Sequence, residues 1–218
     1  PIGLIQVPRW AGVNPADGRP MWYNADGNIT YNPEQAVDAI EYKDGRENIT
    51  GGFGNTISYK GFTLDAFFQY SFGQWAFAST DYYFTRTPDF YSTMSAEVRD
   101  RWRQPGDQTY YPRAITVGGD FPETADYRTQ MGTQAIYNAS YIRLKNVMLS
   151  YNLPASVTQR IGLADVRLFA SAINLLTWTA WPWYDPEVAF DTRDIYTNVT
   201  TASYPTERQI NAGIEIRF

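Results

Sequence analysis

The chain contains no cysteine and no histidine among its 218 residues. The first absence rules out a disulfide scaffold, and the two together remove the ligands of the common zinc sites. Without histidine there is no imidazole to act as general acid or base, and a nucleophile–histidine pair cannot be assembled. Long apolar runs are missing as well: nothing approaches the roughly 20 consecutive apolar residues of a membrane helix. Basic residues are outnumbered, 18 against 23 acidic, for a formal charge of −5, and no Lys/Arg run stands out. A nucleic-acid partner, which needs a concentrated basic face, is therefore not expected. No secretory leader opens the sequence. It starts at Pro1, which reads as processing, an artificial boundary or a piece of a longer chain, the last being the expectation. What the sequence has in quantity is aromatic: 17%, with 17 tyrosines and 7 tryptophans.

Alternation of period two marks five strands. In FTLDAFFQYSF, from Phe62, the residues Phe62, Leu64, Ala66, Phe68, Tyr70 and Phe72 share one face, with Phe67 the only intruder on the other. Before it, Ile49, Phe53, Ile57 and Tyr59 alternate with Thr50, Gly52, Gly54, Thr56 and Ser58, and Lys60-Gly61 joins the two runs as a tight turn. In YIRLKNVMLSY, Ile142 and Leu144 take one parity and Val147, Leu149 and Tyr151 the other, a phase slip near Asn146 that reads as a β-bulge. Val166, Leu168, Ala170 and Ala172 face away from Arg167, Phe169 and Ser171. The fifth strand is RQINAGIEIRF, in which Ile210, Ala212, Ile214, Ile216 and Phe218 share a parity. LIQVPRW and PMWYN near the start would raise the count to six or seven.

The connections alternate between short and long. Lys60-Gly61 and residues 154–165 are compact, whereas residues 75–138 and 179–205 are long, as is the turn-rich stretch before residue 48. Short turns at one end and long loops at the other describe a transmembrane β-barrel, and the strands have the 9–11 residues or so that a tilted membrane strand needs. The apolar parity would meet lipid and the polar parity the lumen. Tyr59, Phe62, Tyr151 and Phe218 gather at the short-turn end, with Tyr70, Phe72, Trp75, Trp178 and Tyr204 at the other, as two interfacial girdles. A soluble carbohydrate-binding β-sandwich would show the same period and is the alternative; a purely structural outer-membrane protein is a third reading. Five to seven strands do not close a barrel, which needs about eight, and an open edge cannot sit in hydrocarbon. The segment is thus expected to be an arc of something larger, unable to span a membrane alone.

Several blocks resemble the SusC/RagA family of TonB-dependent outer-membrane transporters: NITGGFGNTISYKGFTLDAFFQYSFGQ; ASYIRLKNVMLSYNLPASVTQRIGLADVRLFASAINLLTWT followed by YDPEV; YPTERQINAGIEIRF; DRWRQPGDQTYYPRA; and AGVNPADGRPMWYNADGN. The resemblance covers nearly the whole chain in order. It implies an all-β fold, residues 1–218 being the C-terminal antiparallel strands of a barrel of about twenty-two, with residues 10–47, 76–138 and 179–205 as extracellular loops. It also implies location in the outer membrane of a Gram-negative bacterium, and import of glycans or peptides with a SusD-like surface lipoprotein. TonB would supply energy through a plug domain, and neither that plug nor the remaining barrel strands are part of this sequence. Phe218 is similar to the terminal aromatic by which such barrels are recognised for assembly.

No carboxylate pair stands out for catalysis, so an enzyme is not expected. Asp185 and Glu187 in YDPEV fit a turn better than an acid/base pair. NADGNIT, residues 24–30, superficially resembles a calcium loop, but its glycine is misplaced; a β-turn is expected, with no cofactor, no metal site and calcium unsupported. Trp178, Trp181, Trp183 and Tyr184 are the candidate contacts for a ligand or protein partner, against anchoring of the loop or membership of the girdle. On the lumen face, Asp65, Arg143, Lys145, Arg167, Glu215 and Arg217 are expected to form a structural ladder, with Arg167 close to Glu215. SAEVRDRW, residues 95–102, reads as a short helix ended by Gln104-Pro105-Gly106. TYYPRA and DYYFTRTPDFY are candidates to meet the lipoprotein.

Overall fold

The computed structural model describes residues 4–5, 7–32, 35–36, 43–44, 49–78, 95–114, 132–187 and 204–218. Two compact units divide the chain: Pro1–Gly45 with Trp75–Tyr137 and Ala189–Ser203, and Arg46–Gln74 with Asn138–Val188 and Tyr204–Phe218.

The second unit is a wall of five antiparallel strands. Numbering strands in chain order, it comprises β6 (Ile49–Tyr59), β7 (Phe62–Phe72), β10 (Tyr141–Asn152), β11 (Asp165–Thr179) and β12 (Gln209–Arg217), in the spatial order β12-β11-β10-β7-β6. Each strand is a run of period-two alternation. The register aligns those runs so that one whole face is apolar: Ile57 opposes Leu64, Leu64 opposes Leu149, Tyr151 opposes Leu168 and Leu168 opposes Ile214. That face is open. Ile57, Ile210 and Ile214 expose 61%, 71% and 64% of their surface. Leaving such side chains in water forgoes about 1.5–3 kcal/mol each, and a sandwich would have buried them against a second sheet. The sandwich alternative is thereby removed: the apolar faces do not stack on one another.

The turn between β6 and β7 follows from its residues. Lys60 and Gly61 both adopt positive φ, 47° and 85°, the two-residue turn whose twist matches paired strands. Gly61 is required twice, because a Cβ there would stand 2.9 Å from the Asn152 carbonyl oxygen. Rings stack near this end, with Phe62 on Tyr151 at 4.3 Å. The slip near Asn146 is a register shift between Leu144 and Asn146, shared by both neighbouring strands. The intruding Phe67 covers bare backbone: a Cβ on Gly52 would meet its ring at 2.7 Å. Phe169 does the same for Gly213 at 2.5 Å. Each ring fills space its cross-strand glycine leaves empty.

The first unit holds the short strands. β1 (Leu4–Ile5) pairs with β5 (Lys43–Asp44), and β8 (Trp75–Phe77) with β9 (Ile136–Asn138). β2 (Trp10–Val13), β3 (Pro20–Tyr23) and β4 (Ile29–Thr30) form a three-stranded sheet. LIQVPRW and PMWYN therefore do contribute strands, but these do not lengthen the wall, which has five. Their mixed polarity and short length suit a small sheet built around buried Trp22, which meets Trp10 edge-on at 5.7 Å. Within residues 24–30, residues 24–28 form the β3–β4 turn, the Asn24 side chain accepting from the amides of Asp26 and Asn28 at 3.1 and 2.8 Å. The expected helix at residues 95–102 is a 3-10 helix, Ala96–Asp100, capped by Ser95, and it ends where Arg101 returns to extended backbone. DYYFTRTPDFY lies outside the described residues.

The open face sets a direct test of sidedness. In the full-length barrel, Ile214→Arg is expected to lose about 2–4 kcal/mol of unfolding free energy in detergent or lipid. Asn211→Arg, on the polar parity of the same strand, is expected to lose less than about 1 kcal/mol; denaturant titration reads both.

Candidate functional site

On the polar face, β10 carries Arg143 just before the bulge and Lys145 within it. Two positions apart, they share a face by ordinary alternation. Both reach the Glu187 carboxylate, and the register shift then turns Val147, of the same parity, to the apolar face. Arg143 is 2% exposed and donates through Nη2 to Asp185 Oδ1. Its Nη1 donates to Glu187 Oε2 at 2.7 Å and to Thr206 Oγ1 at 2.6 Å. Lys145 Nζ reaches both Glu187 oxygens, at 2.9 and 3.0 Å. Thr206 donates its hydroxyl and its amide, the latter at 3.0 Å, to Asp185 Oδ2. The sequence arranges this locally: Pro186 holds Asp185 and Glu187 on one side, and Asp185 accepts the Glu187 amide at 2.9 Å.

One guanidinium thus pins both stems of the connection between β11 and β12, Asp185 and Glu187 on the outgoing side and Thr206 on the return. Burial works against charge on Asp185. The Arg143 guanidinium, the Thr206 hydroxyl and the amides of Glu187 and Thr206 outweigh it, holding the carboxyl below its ordinary value of 3.8. YDPEV is therefore more than a turn. Period-two reasoning overlooks Asp185, Glu187 and Thr206 as partners of the strand cations. The available signal was two carboxylates astride a proline, opposite two cations on an inward-facing strand.

The aromatic candidates separate. Trp178 sits on the apolar face, 6.4 Å from Phe68. Trp181 is buried, its amide on Thr179 Oγ1 at 3.0 Å. Trp183 is partly buried, and its indole N–H has no partner among the described residues. Tyr184, next to the clasped Asp185, is 80% exposed.

Of the remaining charges, Arg167 opposes Glu215 across β11 and β12 at 3.9 Å, and also donates to Ser150 Oγ at 3.3 Å. Arg217 lies 3.5 Å from Glu215. Asp65 accepts from the Thr56 hydroxyl. Phe218 is 95% exposed. The charged side chains of the polar face therefore form two groups, one around Arg143 and one around Glu215, with Asp65 apart. Among the described residues no cluster of His, Cys, Asp or Glu could hold a metal ion.

No family model matches the chain. Two TonB-dependent receptors of Formosa agariphila are 31% and 30% identical to it over 206 and 201 residues, 92% and 89% of this chain and 19% of each receptor. The solved RagAB peptide transporter superposes with a TM-score of 0.75 at 28% identity, covering 98% of this chain and 22% of that one. The RagAB peptide importer in its closed-closed state gives 0.73 at 29% identity, covering 97% and 22%. The chain spans about a fifth of the length of the curated relatives it matches.

Removing one partner of a buried pair strands the other charge, at a cost of about 3–5 kcal/mol. Arg143→Met in the full-length protein is expected to speed hydrogen exchange at the Glu187 and Thr206 amides about a hundredfold or more, whereas joint replacement of Arg143 and Asp185 by Met and Leu restores much of the protection. Because the folded pKa of Asp185 is lowered, its stabilisation is complete above the unfolded value. It is lost only as pH falls through the lower folded value. Exchange at these amides, corrected for its intrinsic pH dependence, is expected to stay flat from pH 7 down to about 4 and rise below.

Proposed function

We propose, from the premise that the chain belongs to the SusC/RagA type of TonB-dependent receptors, that it forms part of the wall and outer loops of an active importer in the outer membrane of a Gram-negative bacterium. The observation that carries this reading is the open apolar face of a five-strand wall whose polar face holds paired charges. Hydrocarbon on one side and a wet lumen on the other suit that division. Both sheet edges, β6 and β12, would continue into the rest of the barrel, since unpaired strand edges are not tolerated in lipid.

Transport would draw on TonB through a plug domain contributed by the rest of the protein, with a SusD-like surface lipoprotein as partner. Residues 10–47, 76–138 and 179–205 would lie outside the cell. The cargo would be glycan or peptide, and the likeness to the RagAB importer favours peptide. No catalytic step is involved. Tyr184 is the foremost contact for cargo or lipoprotein, with Trp183 beside it: a rigid ring held out by a buried neighbour loses little entropy on binding. Trp178 fits the outer girdle and Trp181 the packing of the loop base. Phe218 would serve as the assembly signal.

Cells that rely on this transporter are expected to take up labelled oligopeptides only with TonB and the lipoprotein present. Tyr184→Ala is expected to raise the KM of uptake, or the Kd for the lipoprotein, about tenfold or more. Uptake that persists without TonB would overturn the reading.

A further inference from the structure

The first unit contains a feature that the sequence conceals. No Lys/Arg run is visible, because Asp100 and Trp102 interrupt RDRWR. In the structure Arg99, Arg101 and Arg103 nevertheless converge on one open cavity of about 640 Å³, together with Asp100, Gln108, Thr109, Tyr110 and Tyr111. The chain as a whole is acidic, yet among the described residues none of the three guanidinium groups forms an ion pair. Arg101 Nη1 and Arg103 Nη2 reach only the carbonyls of Val98 and Arg99, at 3.5 and 2.7 Å, and the Arg99 side chain has no partner among the described residues. Of the nearby carboxylates, Asp100 lines the cavity itself and the other two are engaged elsewhere. Glu97 accepts the Tyr111 hydroxyl at 2.9 Å, and Asp107 accepts the amides of Arg103 and Gln104 at 3.0 and 3.1 Å.

The cavity is built on a stiff frame. Trp102 lies flat over Gly18, where a Cβ would stand 2.5 Å from the indole, and its Nε1 donates to the Pro15 carbonyl at 3.0 Å. Backbone bonds from Gly106 to Pro15, Arg113 to Gly18 and Trp102 to Tyr111, at 2.8, 3.0 and 3.0 Å, tie the segment down. Tyr110 donates to the Gln134 carbonyl at 2.8 Å. The frame fixes the backbone from which the three arginines project, and guanidinium groups bind carboxylates through paired N–H donors.

We propose that this cavity is a selectivity site for acidic peptides, the arginines taking Asp and Glu side chains or the terminal carboxylate of the cargo. The proposal rests on the import reading and names its substrate class. A concave site of this volume suits one or two residues of a ligand, whereas a protein partner would need a broader face.

The experiment measures uptake by the full-length transporter with its lipoprotein, using two labelled peptides that differ only in Glu against Gln. For Arg99→Gln/Arg101→Gln/Arg103→Gln the ratio of kcat/KM for the acidic over the neutral peptide is expected to fall about tenfold or more. The Lys triple variant, which keeps the charge but lacks the paired donors, is expected to fall between the wild type and the Gln variant. An unchanged ratio in a variant that still transports would overturn the site and leave the import reading standing. A parallel fall for both peptides, with loss of the co-purifying lipoprotein, would assign the arginines to a protein interface and overturn it as well. Failure of the wild type to import either peptide would remove both the site and the peptide reading beneath it.

Discussion

Hydrocarbon offers a peptide group no hydrogen-bond partner, so every backbone donor and acceptor that enters it must find one within the protein. The five-strand wall meets that demand with continuous antiparallel ladders from β6 to β12. On the polar face, the glycines of β6 and Gly213 of β12 are covered by rings from neighbouring strands. A bare glycine ladder leaves space above the sheet, and Phe67 and Phe169 close it from across the pair. Sidedness follows: once the ladders fix the register, every second residue is committed to one face, and a slip of one position would send the whole set to the wrong solvent.

The bulge at Leu144 and Asn146 is the one place where that alternation is broken, and it coincides with the clasp. Strict period two would carry the Arg143 parity on unaltered. Lys145 keeps that parity and meets the Glu187 carboxylate beside Arg143, and the slip then returns Val147 to the apolar face. A buried ion pair is seldom the cheapest source of stability. Its value here is geometric: one guanidinium gathers two loop stems, and the loop base they define holds Tyr184 outward while Trp181 packs inward.

Much of the wall was legible because it is local. The strands, the Lys60-Gly61 turn and the slip near Asn146 are each written in a dozen contiguous residues, and Arg167 faces Glu215 because hairpin register brings them opposite. The left-handed conformation of Lys60 was not legible, since nothing but pairing to β7 imposes it on a lysine. Arg143 and Asp185 are separated by 42 positions, and Asp-Pro reads locally as a turn. Arg99, Arg101 and Arg103 were hidden for a related reason: in a short 3-10 turn followed by extended chain, alternate residues can converge although the sequence looks interrupted. Period-two reasoning sees faces, and it cannot see what a loop brings back to a face.

If one face of this wall meets lipid and the other water, the two parities of a single strand should differ in what reaches them. Nitroxide labels placed singly on β12 of the full-length transporter in bilayers read this through collision with oxygen, which concentrates in lipid, and with a polar nickel chelate, which stays in water. Labels at Ile210, Ala212, Ile214 and Ile216 are expected to collide mainly with oxygen, and labels at Asn211, Gly213 and Glu215 mainly with the chelate or with neither. Equal chelate access on both parities, or apolar positions shielded from both reagents by protein, would refute the division between lipid and lumen.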